Sequence, residues 1–382
     1  MRHRHGIKSV DKCLRDYISP IDPNRSSRPF GGITVVFGGD YRQTLPVIPK
    51  ASQGETVGST LNRSKLWDFC EVFTLRQNMR LYSGNSDERN KIIAEFAKWQ
   101  LAIGDGKVHR ITENPKDDGL VDFEIPEQFI ICGTDNSIQS LFDITYPDFL
   151  SNMSSYCYLR SRAILTPTNS LVDDINDFMI EKIPGKTHTY FSQDSIDDNG
   201  GEDNDFDTAF PVEYLNLINM PCLPKYELQI KVGCTMMLMQ NLNQILGLCN
   251  GTRMIVTACK KNSVECEILC GSNVGSKHLI PRIDMVPTDT KWPFEFKRTQ
   301  FPLQLYFAMT INKSQGKFLD TVGLYLPRSV FSHGQLYVVV SRVTSPEGLH
   351  ILILDDTGCY SNVTSNVVYE EVFYNLPKLD DI

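Results

Sequence analysis

Short apolar runs that end in turn-forming residues constrain the fold of this chain most strongly. Residues 33–37 (Ile-Thr-Val-Val-Phe) are β-branched and apolar and precede two glycines, a pattern that predicts a buried strand opening into a loop. Residues 163–169 predict a second strand and a turn, and the residues after them carry apolar side chains at helical spacing. Strand, loop and helix in this order predict an α/β fold with a parallel sheet, whose functional residues follow the carboxyl ends of its strands.

The middle of the chain has a different pattern, with short strands separated by turns. Residues 231–300 predict a small β-barrel inserted in the second α/β unit, and the α/β pattern resumes after residue 300. The predicted strands are residues 72–75, 235–239, 252–257, 264–269, 278–281, 303–310, 321–325 and 349–354, and the predicted helices are residues 7–18, 64–70, 86–102 and 332–341, with a mixed helical connector at residues 103–160.

Length and composition limit the class of protein. A chain of 382 residues is long enough for two or three domains with real cores. No run reaches the roughly 18 apolar residues that span a bilayer, and no apolar segment follows the basic N-terminus. We therefore expect neither a membrane span nor a signal peptide. The 11 cysteines are scattered without Cys-x-x-Cys pairs, which indicates free thiols in a reducing compartment.

The charge pattern and the cysteines also bear on possible ligands. The formal net charge of −8 argues mildly against a nonspecific DNA coat but leaves room for a local DNA-binding groove. Part of this charge lies in residues 194–205, which predict a solvated acidic loop. Cys266, Cys270 and His278 resemble a metal site, but their spacing differs from that of common zinc sites and the segment predicts a strand. We therefore predict no metal site.

Residues 38–43 (Gly-Gly-Asp-Tyr-Arg-Gln) follow the first predicted strand and form the first chemical motif. The two glycines allow a tight turn and a close approach of the backbone to a ligand. Asp40 can fix the loop or hold a metal-bound water, and the Gln43 amide can donate to a phosphate oxygen and accept from a water. Taken alone, the motif is equally explained as an ordinary turn with polar side chains.

The motif is accompanied by residues 73–80, 307–316 and 336–342, which follow in a fixed order. Together they resemble the PIF family of 5′-to-3′ DNA helicases, a RecD-like group of superfamily 1B, and most of all its plant and Helitron-transposon branch. Supporting segments are residues 165–169, 190–195, 247–253 and 298–303, so the resemblance covers nearly the whole chain. It implies two RecA-like P-loop NTPase motor domains, the first truncated, with an SH3-like β-barrel inserted in the second. The implied domains are a remnant of the first motor domain at residues 1–82, a helical connector at 83–160, the second motor domain at 161–240 and 301–382, and the barrel at 241–300.

The resemblance also implies ATP and Mg²⁺ as cofactors and gives roles to individual residues. Gln43 would sense the γ-phosphate, and Arg80 and Arg342 match the two arginine fingers of the family. An arginine suits this role because its planar, permanently charged fork can neutralise the oxygens of a transferring phosphoryl group. The alternative for either arginine is a surface salt bridge. The residues expected to bind nucleotide are Asp40, Gln43, Gln315, Gly316 and Arg342.

The expected nucleic-acid partner is single-stranded DNA or a duplex junction, bound by a monomer in the nucleus, with an organelle as the alternative location. Thr166, Thr168 and Asn169 match DNA-backbone contacts of the family. Lys313 and Ser314 follow a predicted strand and can open a helix, so the hydroxyl and backbone N–H groups of this segment suit a phosphate. For both groups the alternative role is to cap a helix. Residues 250–252 (Asn-Gly-Thr) match a family signature to which we assign no chemical step. Phe318 stands where the family usually has Thr.

The residues that hold ATP and Mg²⁺ in this family are not found in the sequence. A P-loop needs Gly-x-x-x-x-Gly-Lys-Ser/Thr, and the segment Gly185-Lys186-Thr187 has Ile180 in place of the first glycine. We expect a start at an internal methionine or a decayed transposon copy, with most triphosphate affinity lost. We also expect residues 1–80 to be poorly stable. The chain is thus expected to be a DNA helicase that is inactive alone, or else a catalytically dead protein that binds single-stranded DNA or a partner.

Overall fold

The computed structural model describes residues 3–79, 86–111, 120–132, 137–197, 210–220, 222–287, 294–355 and 357–377. These residues form a mixed α/β structure. The helices are α1 (Arg4–Ile18), α2 (Gln53–Gly58), α3 (Asp87–Gly104), α4 (Ser137–Thr145), α5 (Phe149–Asn152), α6 (Tyr156–Arg160), α7 (Asn169–Lys182), α8 (Val212–Asn216) and α9 (Gln335–Val340). The strands are β1 (Leu120–Glu124), β2 (Arg162–Thr166), β3 (His188–Phe191), β4 (Gln193–Asp197), β5 (Glu227–Ile230), β6 (Thr235–Leu238), β7 (Arg253–Cys259), β8 (Ser263–Ile268), β9 (Lys277–Pro281), β10 (Ile283–Met285), β11 (Glu295–Gln300), β12 (Leu303–Leu305), β13 (Ala308–Thr310), β14 (Thr321–Leu326), β15 (Leu349–Leu354), β16 (Tyr360–Ser361) and β17 (Val363–Val367).

The chain divides into two compact units. Unit 1 contains Met1–Leu141 and Ile311–Ile382, and unit 2 contains Phe142–Thr310. The five-part domain division of the sequence stays a prediction. In the part of the chain that the structure describes, no helix is long and apolar enough to cross a membrane.

A parallel pair of strands lies at the centre of unit 1. Strands β14 and β15 run parallel, with Leu324 opposite Ile351, and β16 joins β15 in the antiparallel direction. Leu324 and Ile351 are both fully buried, as expected for parallel strands covered on both faces. The strands predicted at residues 321–325 and 349–354 are therefore confirmed. Strands β1 and β17 form a separate antiparallel pair in the same unit.

Helix α3 begins at Ser86, whose hydroxyl accepts a hydrogen bond from the Arg89 amide, and two acidic residues occupy its first turn. The helix predicted at residues 86–102 is confirmed, but its predicted buried face is shifted. Ile92 and Leu101 are 47% and 44% exposed. The buried stripe instead follows the helical repeat through Ile93, Phe96, Gln100 and Ile103.

Two predicted strands near the N-terminus are wrong. Residues 33–37 and 72–75 lie outside any helix or strand, and Val36 and Leu75 are 90% and 98% exposed. A strand is stable only when its backbone groups pair with a neighbour, and neither segment has a strand partner among the described residues. The helix predicted at residues 64–70 is reduced to a short 3₁₀ turn, Trp67–Phe69. Helix α1 is confirmed, although none of its residues is buried.

Unit 2 contains the predicted strand, turn and helix. Strand β2 pairs in parallel with β13, and α7 follows β2 with Val172, Ile175 and Met179 on its buried face. The Asn176 side chain accepts from the Phe307 and Ala308 amides at 3.0 and 2.9 Å. The Asn176 side chain is buried and bonds to the backbone where β13 begins, so it fixes the path of the chain into that strand.

Strands β12, β6, β7, β8 and β9 form a five-stranded antiparallel sheet in that order. The four strands predicted between residues 235 and 281 are therefore confirmed. The sheet also takes in β12, which the sequence assigned to the α/β part. In the described residues no pairing joins β9 to β12, so the closed SH3-like barrel stays a prediction.

The prediction of a solvated acidic loop is wrong at its first residue. Asp194 lies in β4 directly opposite Arg298 of β11, and both side chains are fully buried. The Arg298 guanidinium donates to both carboxylate oxygens of Asp194, at 2.9 and 2.6 Å, and also to the carbonyls of Pro224 and Leu215. A buried charge is tolerated only with such pairing, which local sequence does not reveal. Residues 198–205 lie outside the described residues.

Candidate functional site

The predicted motif at residues 40–43 forms a turn that Asp40 organises. The Asp40 carboxylate accepts hydrogen bonds from the Arg42 amide at 3.0 Å and from Nε2 of Gln43 at 3.4 Å. The backbone amide of Gln43 in turn donates to the backbone carbonyl of Asp40 at 3.2 Å. An aspartate that binds backbone two residues ahead is a common way to stabilise a turn. Both Asp40 oxygens are therefore occupied within the turn.

The end of α3 holds the turn from one side. Nε of Arg42 donates to Oδ1 of Asp105 at 2.5 Å, and Asp105 is the C-terminal cap of α3. A Cβ at the neighbouring Gly104 would lie 2.7 Å from both Cδ of Arg42 and Cδ2 of Tyr337. Gly104 is therefore required because two side chains approach its Cα closely.

Helix α9 and the residue before it hold the turn from the other side. His333 is fully buried; its Nε2 lies 2.8 Å from the Tyr41 carbonyl, and its Nδ1 accepts from the Tyr369 amide at 2.9 Å. Since one nitrogen accepts and the other faces a carbonyl, the neutral ring carries its proton on Nε2. The Tyr337 hydroxyl bonds to the Asp40 carboxylate, and burial, then the Asp40 charge, raises the pKa of Tyr337.

The backbone at the start of α9 also approaches the turn. Gly334 has a φ of +72°, and a Cβ there would lie 2.2 Å from the Arg42 carbonyl oxygen. No side chain fits at this position, because the obstacle is backbone and the conformation is left-handed. The helix predicted at residues 332–341 therefore begins only after Gly334.

The Gln43 side chain connects this turn to the predicted phosphate-binding segment. Nε2 of Gln315 donates to Oε1 of Gln43 at 3.4 Å. Gln315 follows the 3₁₀ turn Ile311–Ser314, and Gly316 adopts a φ of +74° that lets the chain reverse. Residues 43 and 315 are far apart in sequence, so this contact depends on the folded unit.

Arg342 is nearly buried, and its guanidinium is bound by neutral oxygens of unit 1. Nε donates to the Val338 carbonyl at 2.8 Å, and Nη1 donates to the carbonyls of Ser314 and Lys317 at 3.3 and 3.2 Å. Nη2 donates to Oγ of Ser341 at 2.8 Å. Arg342 thereby ties α9 to residues 314–317, the segment that carries Gln315. Its burial argues against the surface position that was its alternative role.

The structure thus brings together the predicted nucleotide-binding residues Asp40, Gln43, Gln315, Gly316 and Arg342. Arg80 lies outside the described residues. Lys313 is partly exposed in the same unit. Ser314 is fully buried, and its hydroxyl donates to the Ile311 carbonyl at 2.7 Å. The alternative in which Ser314 caps a helix N-terminus is therefore wrong, since it ends a 3₁₀ turn instead.

The predicted DNA-contacting residues of unit 2 lie where β2 meets α7. Thr168 and Asn169 are exposed at the N-terminus of α7, and Thr168 is its N-cap without a side-chain capping bond. Thr166 is fully buried, and its Oγ1 has no hydrogen-bond partner in the structure. The two exposed residues are accessible to a phosphate, whereas the Thr166 hydroxyl is enclosed.

Sequence reasoning missed His333, Tyr337, Gly104 and Asp105. A histidine next to a glycine at the start of a predicted helix was the signal available for His333. The other three are identifiable only from their contacts with residues 40–43. They do not replace the predicted residues but hold them in place.

The arrangement fits a phosphate group better than a metal ion. The neighbouring amides of Gln43 and Gln315 keep hydrogen-bonding capacity for a phosphate oxygen or a water. Mg²⁺ prefers several oxygen ligands, and Asp40 offers a carboxylate whose oxygens are both engaged. Among the described residues there is no group of three or more His, Cys, Asp or Glu that could hold a metal ion. Mg²⁺ is therefore assigned to none of the described residues, and the absence of a metal site stays a prediction.

Protonation of His333 is expected to destabilise unit 1 as the pH falls. Burial lowers the pKa of His333, although the Tyr41 carbonyl and the charges of Asp40 and Glu371 oppose this shift. Below the ordinary value of 6.5 the unfolded chain therefore binds a proton that the folded chain does not, so the free energy of unfolding falls with pH. The loss reaches at most about 1.4 kcal/mol per pH unit and ends at the folded-state pKa.

Urea unfolding measured between about pH 7.5 and about pH 5.5 checks this expectation, since histidine titrates in that range. Trp67 and Trp99 both lie in unit 1 and report its unfolding by fluorescence once Trp292 of unit 2 is replaced by Phe in every protein compared. His333→Gln removes the titrating group and should flatten the pH dependence. Equal pH slopes for the two proteins would contradict the assignment.

Comparisons with known proteins agree with the sequence motifs. The family model described as PIF1-like helicase matches residues 1–114, and the model for the 2B domain of DNA helicase Pif1 matches residues 213–259. The chain is similar to ATP-dependent DNA helicase PIF1 of Rattus norvegicus, with 32% identity over 94% of this chain and 49% of that protein. It is also similar to the Homo sapiens protein of the same name, with 27% identity over 92% of this chain and 47% of that protein. The chain spans about half the length of the curated relatives it matches.

Solved structures show the same fold. A crystal structure of Pif1 helicase from Bacteroides in complex with ADP-AlF3 and ssDNA matches with a TM-score of 0.58 and 20% identity, covering 94% of this chain and 70% of that chain. The predicted α/β fold with RecA-like motor domains is therefore confirmed, while the plant and Helitron branch stays a prediction. Sequence motifs, relatives and fold agree, and the chain belongs to the PIF1-like helicase family.

Proposed function

We propose that the chain works in an ATP-dependent DNA helicase, where it senses the phosphates of ATP and passes that signal to DNA. The observation that carries the proposal is the hydrogen bond between Gln315 and Gln43. It joins the turn at residues 40–43 to the segment that Arg342 holds. A movement of the Gln43 or Gln315 side chain would thereby reach both residues 40–43 and residues 314–317.

The phosphate-sensing step follows from the donors in this cluster. Gln43 and Gln315 present amides that can bind a γ-phosphate oxygen or position the attacking water, a role that glutamine fills in other nucleotide hydrolases. Arg342 donates to neutral carbonyls at 2.8–3.3 Å. A phosphate carries more charge than these carbonyls, so it competes well for the guanidinium. Arg342 would then leave residues 314–317 and change their position.

The DNA side of the proposal rests on two groups of residues. Thr168 and Asn169 expose a helix N-terminus, where backbone amides and the helix dipole favour a phosphate. Lys313 lies two residues before Gln315, so a DNA phosphate bound there is close to the sensing cluster in sequence. The substrate we propose is single-stranded DNA or a duplex junction, in the nucleus or an organelle. The P-loop and the ligands of Mg²⁺ are assigned to no position of the 382 residues.

A second candidate function is single-stranded DNA binding without ATP turnover. It is favoured by the guanidinium of Arg342, whose donors already have protein acceptors. In this case Arg342 is a structural link between α9 and residues 314–317. DNA contacts at Thr168 and Asn169 are common to both candidates.

If the chain hydrolyses ATP, substitution of Arg342 by alanine is expected to abolish the DNA-stimulated turnover, with a loss of about 10³-fold or more, as for other arginine fingers. ATP hydrolysis is measured with and without single-stranded DNA, alongside DNA affinity. The matched control is Arg89→Ala, since among the described residues this exposed arginine pairs with Glu347 at the long distance of 4.0 Å. Turnover that survives in Arg342→Ala contradicts the motor proposal. DNA binding without turnover in every variant supports the second candidate, and no DNA binding at all contradicts both.

A further inference from the structure

The loop between β6 and β7, residues 239–252, is rigidly built although it contains no helix or strand. The Leu248 amide donates to the Asn243 carbonyl at 2.8 Å, and the Asn243 amide donates back to the Leu248 carbonyl at 3.1 Å. Closer to the strands, Oδ1 of Asn241 accepts from the backbone amide of Asn250 at 2.8 Å. These bonds close the loop into a narrow hairpin-like tip at residues 244–247.

The Asn-Gly-Thr signature at residues 250–252 forms the base of this tip. The Thr252 hydroxyl donates to the Gly247 carbonyl at 2.8 Å and accepts from the Cys249 amide at 3.2 Å. Gly251 adopts a φ of +87° and its amide donates to the Leu238 carbonyl at 2.8 Å. The signature therefore shapes the loop rather than performing chemistry itself.

The neighbouring loop between β8 and β9 braces the tip. Nδ2 of Asn273 donates to the Ile245 carbonyl at 3.1 Å. Gly247 has a φ of +76°, and a Cβ there would lie 3.0 Å from Nδ2 of Asn273. The backbone around Ile245 is thus held by Asn273 of the neighbouring loop and by Thr252 of its own loop.

The braced tip presents apolar side chains to solvent. Ile245 is 91% exposed and Leu246 is 43% exposed, while Val274 of the bracing loop is 44% exposed. Residues 240–252 and 269–276 contain no Asp, Glu, Lys or Arg, and their polar side chains are mostly amides. Apolar side chains that stay exposed contribute no burial energy to folding. A contiguous exposed apolar patch of this kind is typical of a binding site.

We propose that Ile245 is a wedge that inserts against the terminal base pair of DNA at a duplex junction. Apolar side chains of this size intercalate between base steps. The exposed Gln244 side chain at the tip can bind a base edge. The tip lacks the Lys and Arg side chains that dominate phosphate binding, so it fits bases better than phosphates. The inference rests on the proposed DNA-helicase function, and it adds the group that separates the strands.

Fluorescence of 2-aminopurine at the last base pair of a forked DNA tests the wedge, since unstacking of this base analogue raises its emission. Binding of the full chain should raise the fluorescence, and Ile245→Ser should abolish this rise. Ile245→Ser should also weaken fork binding about tenfold while leaving the affinity for single-stranded DNA unchanged. The matched control is Leu279→Ser, because Leu279 is 54% exposed on β9 of the same sheet.

The outcomes separate this inference from the proposed function. If the chain binds the fork and the fluorescence does not rise, or rises equally in Ile245→Ser, the wedge is overturned and DNA binding stands. Equal losses in Ile245→Ser and Leu279→Ser also overturn it, because the effect is then a general one of the sheet surface. If neither fork nor single strand binds, the proposed function itself fails.

Discussion

Replacing Asp194 by alanine is expected to lower the free energy of unfolding of unit 2 by about 3–5 kcal/mol. The substitution leaves the fully buried Arg298 guanidinium without its carboxylate. The two carbonyls that also accept from Arg298 remain, but they carry no charge to balance it. An uncompensated buried charge costs several kcal/mol, whereas the intact pair costs little overall.

Equilibrium urea unfolding, followed by far-ultraviolet circular dichroism, measures this effect. The matched control is Asp177→Ala, which removes an exposed partner of Lys225 and should cost no more than about 1 kcal/mol. The double variant Asp194→Leu with Arg298→Met removes both charges and should recover most of the lost stability. A double variant as unstable as Asp194→Ala would show that packing, and not the unpaired charge, explains the loss.

Gly334→Ala is expected to destabilise unit 1 by more than about 3 kcal/mol, since it adds a steric clash to an unfavourable backbone conformation. Its Cβ would lie 2.2 Å from the Arg42 carbonyl oxygen and 2.8 Å from the Gln43 carbonyl carbon. Neither atom belongs to a flexible side chain, so the turn at residues 40–43 must move away from α9. The bonds of His333 and Tyr337 to this turn are then strained or lost.

The control for this substitution is Gly54→Ala. Gly54 lies inside α2, has no atom within 4 Å of an added Cβ, and should gain up to about 1 kcal/mol of stability. Unfolding of both variants is followed by tryptophan fluorescence, as for His333. A Gly334→Ala protein as stable as the wild type would show that the turn and α9 can separate without cost.

The sequence predicted the elements whose pattern is local. Helix α7 and the strands of the five-stranded sheet have apolar side chains at the right spacing, and they form where expected. Residues 33–37 have an equally strong strand pattern, yet they form no strand because pairing depends on residues distant in the chain. The prediction that Asp194 lies in a solvated loop was wrong for the same reason, because its partner Arg298 is distant in the chain and is brought to it only by folding.

The candidate site was predictable in its members but not in its geometry. Resemblance to a known family supplied Gln43, Gln315 and Arg342, and their roles in phosphate sensing stay predictions. The contacts that hold them could not be read from spacing, because Gly104 and His333 come from distant parts of the chain. Each is required only because a particular side chain or carbonyl approaches it.

The discontinuous unit 1 has a consequence for the order of events during protein synthesis. Unit 2 is one continuous stretch, Phe142–Thr310, whereas unit 1 needs Ile311–Ile382 to be complete. Unit 2 can therefore fold while the ribosome still makes the C-terminal residues, an interval on the order of ten seconds at ordinary elongation rates. During that interval the turn at residues 40–43 lacks its contacts with His333 and Gly334. The contacts of residues 40–43 with residues 315 and 333 can thus form only after unit 2 has been synthesised.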